Sequence, residues 1–502
     1  MVVADSPSHS GKTADESRIL DSTSYHRSVR ANRIVMNRRD HLKHCLLGSA
    51  SLASTNIQAL ASSRLSNPMP ALADEPEPGE RPKQDESVQV VNPRNRVPLS
   101  FIIDDSTCLV NLAHFCIPQF AEVFPSRYKQ DWRKLPREIP DDFVRKFADW
   151  CGERDVKGKY SIVPYPACVG WVDRDMPGWT RKELQQSIQL VKDRMTPGWD
   201  IHPEMISHTW AIDTKTGRPF VERTQNQMEN WGFSVGLTPE QMTDYLAYAL
   251  QILKNAGFEC EGVTTPGGFG NRSRRSLSLG TLRSCKRIYK TEIPHYFRHL
   301  YTDDRSVAPR VEFAKGIDGD QAECVVSIIG CTGDWFGGWD GLTPGNANRF
   351  IGADLVSGRM VDVIEKGEPA IMVCHWPGIY YNGEELGFNI FKTAVERIHK
   401  RFKSSVYWMK LSEISRYWAA KELTRIKRNG SQLEIFAPFA CPEFTLATKT
   451  EIPAALIDAK GKQQLFKAVK SDSLKSGTFA KDSGRNLTCF DLPKGKSTLK
   501  LT

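Results

Sequence analysis

Two adjacent carboxylates, Asp104 and Asp105, directly follow a short apolar run over residues 99–103. Such a run predicts a buried β-strand, and reactive side chains in parallel α/β folds collect just beyond the carboxyl ends of the strands. Two carboxylates at that position repel each other and are poorly solvated, so a cation or a shared proton has to compensate them. The pair therefore predicts a divalent metal site; the alternative is a solvated loop or a helix cap.

A second set of possible ligands follows the apolar run that ends at His202. His202 and His208 lie six residues apart, so their rings converge neither from a regular helix nor from a strand. A turn beginning at Pro203 would bring both rings to one ion, and Glu204 and Asp213 are further candidate oxygen ligands. Either histidine alone is more often an ordinary hydrogen-bonded residue.

A glycine-containing turn, residues 264–270, follows a further apolar run. Around Pro266 and Gly267 the backbone N–H groups could approach a substrate closely, because glycine has no Cβ. A plain tight turn is the equally simple alternative.

Aromatic residues accompany polar ones at two later strand ends. Asp334 and Trp335 follow one run, and His375 and Trp376 follow another. Aromatic faces beside carboxylates suit a sugar ring, although the same side chains could pack over the end of a barrel. These positions predict a common functional face at the carboxyl ends of the strands.

The elements that would position these side chains alternate along the chain between buried strands and amphipathic helices. The predicted strands cover residues 98–103, 160–163, 199–202, 259–263, 324–329, 370–374 and 406–409. The predicted helices cover residues 141–154, 180–195, 238–255 and 391–402. Thr238, Pro239 and Gln241 provide an N-cap, a proline at the first helical position and a capping box. About seven such units predict an α/β fold, a distorted (β/α)7 TIM-like barrel, over residues 98–425, with an open doubly wound sheet as the alternative. Short alternating stretches over residues 426–502 predict a small C-terminal all-β segment.

The composition is that of a globular protein. Of 502 residues, 40% are hydrophobic and 25% are charged, and the formal net charge of +9 is modest for this length. Charge alone therefore does not indicate nucleic-acid binding. The twelve cysteines form no CxxC pair, which argues against a zinc ribbon, and any disulfide pairing is unreadable.

The N-terminal 73 residues have the order of an export signal. A twin arginine within residues 37–43 precedes a short apolar stretch, residues 45–61, and the small residues Ala71-Leu72-Ala73. The apolar stretch is too short and polar for a stable membrane span, so we predict a cleavable twin-arginine-type signal and a periplasmic or extracellular protein. The alternative is a disordered tail. Residues 74–97 are rich in Pro, Glu, Lys and Asn and predict a linker.

The order of these motifs over residues 98–425 resembles the NodB-homology polysaccharide deacetylases, carbohydrate esterase family 4. The resemblance implies that Asp104 is the general base and Asp105 a metal ligand. His208 and Thr209 match the start of the second motif, but Ile212 stands where the family has a further ligand. The resemblance then requires a replacement, either His202 or Asp213, and we prefer His202.

The later motifs match more loosely. Residues 264–267 resemble the third motif without its arginine, which in the family pairs with the base; Arg272 or Arg274 could substitute. Asp334 and Trp335 are similar to the fourth motif. Residues 373–375 are similar to the last, which implies that His375 is the general acid.

Taken as a whole, the resemblance implies a metal-dependent hydrolase that removes N- or O-acetyl groups from a polysaccharide or oligosaccharide. Its divalent ion, zinc or a similar metal, would be held by Asp105, His202 and His208. The expected substrate contacts are Pro266, Gly267, Asp334, Trp335 and Trp376. The alternatives are an amidase or esterase acting on a non-sugar substrate, and a catalytically inactive carbohydrate-binding barrel.

Overall fold

The computed structural model describes residues 78–502, so the predicted export signal and the start of the predicted linker lie outside the described residues. The helices in this part are α1 (Leu112–Val123), α2 (Asp141–Gly152), α3 (Arg181–Arg194), α4 (Pro239–Asn255), α5 (Arg274–Tyr289), α6 (Arg359–Glu365), α7 (Trp376–Tyr380), α8 (Leu386–Phe402) and α9 (Leu411–Leu423). Between residues 78 and 502, no helix combines the length and the apolar character needed to cross a membrane.

The strands of the same part are β1 (Gln89–Val90), β2 (Val97–Asp104), β3 (Gly158–Ser161), β4 (Trp199–His202), β5 (Ile212–Asp213), β6 (Arg218–Pro219), β7 (Gly262–Thr264), β8 (His295–Leu300), β9 (Arg310–Lys315), β10 (Glu323–Gly330), β11 (Ala370–His375), β12 (Val406–Trp408), β13 (Arg425–Asn429), β14 (Gln432–Ala437), β15 (Cys441–Thr448), β16 (Pro453–Asp458), β17 (Gln463–Leu465), β18 (Lys467–Ala468), β19 (Thr478–Asp482), β20 (Arg485–Leu492) and β21 (Gly495–Leu501).

The α/β part contains two sheets of mainly parallel strands. The first has the order β11-β2-β3-β4, with β12 also paired to β2, and all of these pairs are parallel. The second has the order β7-β8-β10-β9, in which only β9 is antiparallel to its neighbour. The predicted alternation of parallel strands and helices is therefore confirmed, whereas a closed barrel is not shown.

Local sequence explains why the main elements form where they do. All eight residues of β2 are buried, as expected for a parallel strand covered on both faces. At α4, the Thr238 side chain accepts a hydrogen bond from the backbone N–H of Gln241, whose side chain accepts one from the backbone N–H of Thr238. The predicted capping box is therefore present, and it satisfies two of the helix's otherwise unpaired donors.

The C-terminal part is all-β, as predicted. It has two five-stranded sheets, with the orders β1-β15-β20-β19-β18 and β13-β14-β21-β16-β17. Buried side chains from both sheets, among them Leu433, Phe444 and Phe490, share one apolar cluster with α9. The end of the predicted linker is structured, because Gln89 and Val90 pair with β15 as an edge strand.

Candidate metal centre

Asp105, Glu204 and His208 converge just beyond the ends of β2 and β4. One ligand atom from each lies within 4.8 Å of the other two. Nε2 of His208 is 2.6 Å from Oδ1 of Asp105 and 3.4 Å from Oε1 of Glu204. All three residues are at most 5% exposed, so two carboxylates share a small region from which bulk water is largely excluded.

The backbone at this centre departs from regular geometry. Asp105 has a φ of 56° and His208 a φ of 64°, both in the left-handed region that residues with a Cβ rarely adopt. The backbone N–H of Asp105 donates to Oε2 of Glu204 over 2.8 Å. Glu204 itself forms an isolated parallel bridge with Thr264, at the junction of the two sheets. Strained backbone of this kind is often found at functional sites, where the surrounding structure stabilises it.

A buried carboxylate, Glu229, holds the loop that carries His208. Its two oxygens accept hydrogen bonds from the backbone N–H groups of Ile206, Ser207 and His208, at 2.6–3.2 Å. The hydroxyl of Tyr245 donates to the same carboxylate over 2.5 Å. Burial raises the pKa of Glu229 to about 7, although these hydrogen bonds favour the ionised form. Glu229 therefore positions the imidazole through the backbone of its loop.

The electrostatics of the centre suit a cation. Burial alone would raise the pKa of Glu204, but the hydrogen bond and positive charge of His208 lower it to about 2. Burial would likewise lower the pKa of His208, but the carboxylate of Asp105 holds it well above the usual range. Oδ1 of Asp105 is buried and makes no aligned hydrogen bond, despite its close contact with the ring of His208. Two carboxylates and an imidazole, with one oxygen unsatisfied, fit a divalent ion such as zinc.

Asp104 lies in a different environment from its neighbour. Its carboxylate accepts a hydrogen bond from the ammonium group of Lys159, a fully buried residue of β3. The same ammonium group donates to the carbonyl of Ile103 over 3.0 Å and to the hydroxyl of Ser161 over 2.8 Å. Burial raises the pKa of Asp104 to about 7, because it outweighs the attraction of Lys159 and acts together with the charge of Glu204.

The cation beside Asp104 corrects a detail of the sequence analysis. We expected Arg272 or Arg274 to replace the missing arginine of the third motif. The structure places Lys159 against Asp104 instead, while Arg272 lines the cleft described below.

His375 lines the same cleft as the centre and is the last residue of β11. It pairs in register with Asp104, and its Nδ1 lies 2.9 Å from Oδ2 of Asp334. Burial would lower the pKa of His375, but the carboxylates of Asp334 and Asp105 raise it to about 10. Asp334, which we predicted to bind substrate, therefore orients and charges the imidazole.

The centre forms the floor of a cleft of about 600 Å³. Asp105, Glu204, His208 and His375 face it, together with a wall of aromatic, amide, arginine and glycine residues: Phe120, Arg127, Tyr128, Gln225, Asn226, Asn230, Trp231, Gly232, Gly267, Gly268, Asn271, Arg272 and Trp339. Apolar and aromatic faces mixed with amides are typical of sites that bind polar small molecules.

Of the predicted substrate contacts, only Gly267 lines this cleft. Its φ is 44°, and a Cβ there would lie 2.8 Å from the carbonyl oxygen of Asn230, so the close approach of the two loops requires glycine. The neighbouring Pro266 is buried, and its carbonyl accepts the N–H of Phe269.

Trp335 and Trp376 do not reach the cleft. Trp376 is fully buried and packs edge-on against Phe147, with ring centroids 5.2 Å apart. Trp335 is 9% exposed and packs against Phe350 at 5.3 Å. This corrects both predictions, because the two rings fill the core and do not face a ligand.

His202 also lies outside the group formed by Asp105, Glu204 and His208. Its Nε2 is 3.0 Å from Nε2 of His295, and its Nδ1 is 3.3 Å from the hydroxyl of Thr264. The place that we predicted for His202 is thus taken by Glu204, which the sequence offered as a further oxygen ligand. Asp213, the other replacement considered, is in β5, where its side chain bonds the loop residues Lys215 and Thr216.

Several residues of the site were not predicted. Lys159 had a weak signal, since a charged residue sits in the short strand Gly158–Ser161 whose every position is buried. Trp231 stands between Asn230 and Gly232, a polar aromatic segment typical of binding loops. Glu229 has no local pattern that separates it from ordinary polar residues.

Comparison with solved structures finds a distant structural likeness. The chain is similar to the crystal structure of a probable polysaccharide deacetylase from Pseudomonas aeruginosa PAO1, with 14% sequence identity and a TM-score of 0.29. The match covers 47% of this chain and 64% of that chain, so it spans less than two thirds of the other protein's length. No protein-family model matches the chain, and no curated protein matches it.

Proposed function

We propose that this protein is a metal-dependent hydrolase that removes N- or O-acetyl groups from a polysaccharide or oligosaccharide. The observation that carries the proposal is the convergence of Asp105, Glu204 and His208 at the floor of a cleft, with His375 facing the same space. These two carboxylates and the imidazole would hold a zinc or similar ion, and the cleft beside them is open to a substrate. When bound, such an ion supplies Lewis acidity and a more acidic water molecule.

Side chains of the protein carry out the two proton transfers of the reaction. Asp104 accepts the proton of the attacking water, and the ammonium group of Lys159 fixes the orientation of its carboxylate. His375, kept protonated and oriented by Asp334, donates a proton to the departing amine or alcohol.

The cleft supports a sugar as the substrate. Trp231 and Trp339 offer aromatic faces, and Asn226, Asn230 and Asn271 offer donors and acceptors suited to hydroxyl and acetamido groups. A polymer outside the cytoplasm would also agree with the predicted export signal.

We further propose that the two sheets act together as a distorted barrel. Two contacts support it: the bridge between Glu204 and Thr264, and the hydrogen bond from the N–H of Cys331 to the carbonyl of Ile371, 2.8 Å long. In that arrangement, the carboxyl ends of β2, β4 and β11 surround one opening.

Acetate release tests the proposal directly. The zinc-loaded protein is incubated with N-acetylated chito-oligosaccharides and, separately, with aryl acetates, and the bound metal is measured by plasma mass spectrometry. We expect acetate from the oligosaccharides, and we expect His208→Gln to lose the ion of this centre and the activity together. His299→Gln, at a half-buried histidine of β8 outside the centre, is the matched control.

Other outcomes point to the other functions. Acetate from the aryl esters alone would indicate a non-sugar esterase. Sugar binding without any bound metal or acetate release would indicate a carbohydrate-binding protein and would overturn the proposal.

A further inference from the structure

A second buried group of metal-type ligands lies at the seam between the two α/β sheets. Asp200 and His202 are in β4, and His295 is the first residue of β8. One ligand atom from each of the three lies within 4.8 Å of the other two. Both histidines are fully buried, and the aspartate is partly exposed. None of the three belongs to the centre described above.

The imidazoles of His202 and His295 face each other with their Nε2 atoms. Their Nε2 atoms are 3.0 Å apart, and the ring centroids are 4.8 Å apart. Nitrogens that bind one tetrahedral zinc ion at about 2.0–2.1 Å lie roughly 3.3 Å apart. The rings therefore need to separate by only a few tenths of an ångström to hold an ion between them.

Outer hydrogen bonds orient two of the three ligands for this role. The hydroxyl of Thr264 lies 3.3 Å from Nδ1 of His202, so it can accept the Nδ1 proton and leave the Nε2 lone pair directed at His295. The carboxylate of Asp200 accepts the backbone N–H of Ser412 over 2.7 Å and its hydroxyl over 2.8 Å. Such outer partners are the usual support of metal ligands in proteins.

Gly262 leaves room for the two rings, and the partner of Asp200 reaches a cleft. A Cβ at Gly262 would lie 2.7 Å from Nε2 of His202 and 2.8 Å from Cδ2 of His295, so only glycine fits beside the rings. Ser412, which bonds Asp200, lines a second cleft of about 480 Å³.

The location suggests what an ion would do. β4 belongs to the first sheet, and β8 belongs to the second. Between the two sheets at this seam, the backbone contacts are the bridge from Glu204 to Thr264 and the hydrogen bond from the N–H of Thr264 to the carbonyl of Pro203. An ion held by β4 and β8 would strengthen a junction that has little strand pairing.

We propose that Asp200, His202 and His295 form a second zinc site, structural in role, that joins the two sheets. Two imidazoles and a carboxylate are donors that zinc accepts, and a water molecule would have to supply the fourth ligand. This site is independent of the proposed hydrolase activity.

Metal counting with a pair of variants tests the second site. The wild-type chain, His295→Gln, His208→Gln and the double variant are loaded with zinc, freed of excess metal by gel filtration and analysed by plasma mass spectrometry. We expect about two zinc ions per chain in the wild type, about one in each single variant and none in the double variant. His299→Gln, on the same strand, should keep both ions. Chelation of the wild type should lower its melting temperature, and it should lower that of His208→Gln as well.

The two proposals fail in different ways. One ion that survives in His295→Gln and disappears in His208→Gln would overturn the second site and leave the first intact. One ion that behaves in the opposite way would overturn the first centre and leave the second.

A spectroscopic measurement covers the case in which His295→Gln does not fold. X-ray absorption at the zinc edge of the His208→Gln protein, which retains both ligand histidines of the second site, should show two imidazole ligands on the remaining ion. A spectrum without imidazole scattering would overturn the proposal.

Discussion

The two ligand groups of this protein have similar chemistry but different positions in the fold. Asp105, Glu204 and His208 lie beyond the strand ends, and two of them have left-handed backbone. Asp200, His202 and His295 lie on the strands themselves, one layer deeper. The first group opens onto the larger cleft, whereas both histidines of the second are fully enclosed.

The contrast shows that donor type and burial do not identify a reaction site by themselves. Strand residues are held by regular pairing and suit a fixed, structural ion. Loop residues held in strained backbone by a buried carboxylate can instead present ligands to an open space. An open cleft, together with His375 on the neighbouring strand β11, distinguishes the first group.

The largest expected effect comes from Asp104→Asn, which removes a proton acceptor beside the first group. We expect turnover to fall by about 10³-fold, with zinc still bound, because the ligands remain in place. Steady-state kinetics measures the turnover, and metal analysis of the same sample measures the bound zinc. Asp213→Asn is the control and should keep full activity. Unchanged turnover in Asp104→Asn would exclude this carboxylate as the base.

The next effect concerns Lys159→Met, which leaves the carboxylate of Asp104 buried without its cation. We expect a loss of about 3–5 kcal/mol in the free energy of unfolding, because an uncompensated buried charge is costly. Urea denaturation measures it, with Lys157→Met as a more exposed control. The double variant Lys159→Met/Asp104→Asn should recover part of the loss, and strictly additive losses would contradict a charge pairing.

A smaller effect, on zinc affinity, is expected for Glu229→Gln. The amide keeps the size of the carboxylate but supplies one fewer acceptor to the N–H groups of residues 206–208. We expect zinc affinity at the first centre to fall by about 10–100-fold, as for other outer partners of metal ligands. Competition with a chromogenic chelator measures the affinity. The exposed Glu222→Gln is the control, and an equal change in both variants would contradict a positioning role.

The smallest effect is expected for Trp231→Ala. If Trp231 stacks on the sugar as proposed, loss of its aromatic face from the cleft should raise KM by roughly 2–10-fold with little change in kcat. Trp335→Phe should leave KM unchanged, since the structure places that ring in the core. A rise in KM for Trp335→Phe alone would reverse our assignment of the two aromatic residues.

Much of the fold was predictable because its signals are local. Residues 199–202 were predicted as a strand with the same bounds as β4, and the capping box at Thr238 marked the start of α4. By contrast, β8 was missed, because Arg298 and His299 interrupt its apolar pattern. β9 was missed for a similar reason, since charged residues stand at Arg310, Glu312 and Lys315.

The site was predictable only in outline. Asp104, Asp105 and His375 follow apolar strands, so strand order alone brought them to one edge. The turn after β4 decided between His202 and Glu204. It directs Glu204, the second residue after the strand, toward Asp105. His202, the last residue of the strand, contacts His295 instead. Trp376 looked accessible beside His375, but its ring turns inward against Phe147.

The sequence by itself determined that buried strands end in acidic and imidazole side chains, because hydrophobic periodicity and turn residues are properties of neighbouring positions. The tertiary structure alone decided which of those side chains converge on one another and which lie apart. It also decided that Lys159 compensates Asp104 in the interior. The physical reason is that a buried charge is stabilised by whichever group lies within a few ångströms, and that distance is set by packing between elements far apart in the chain.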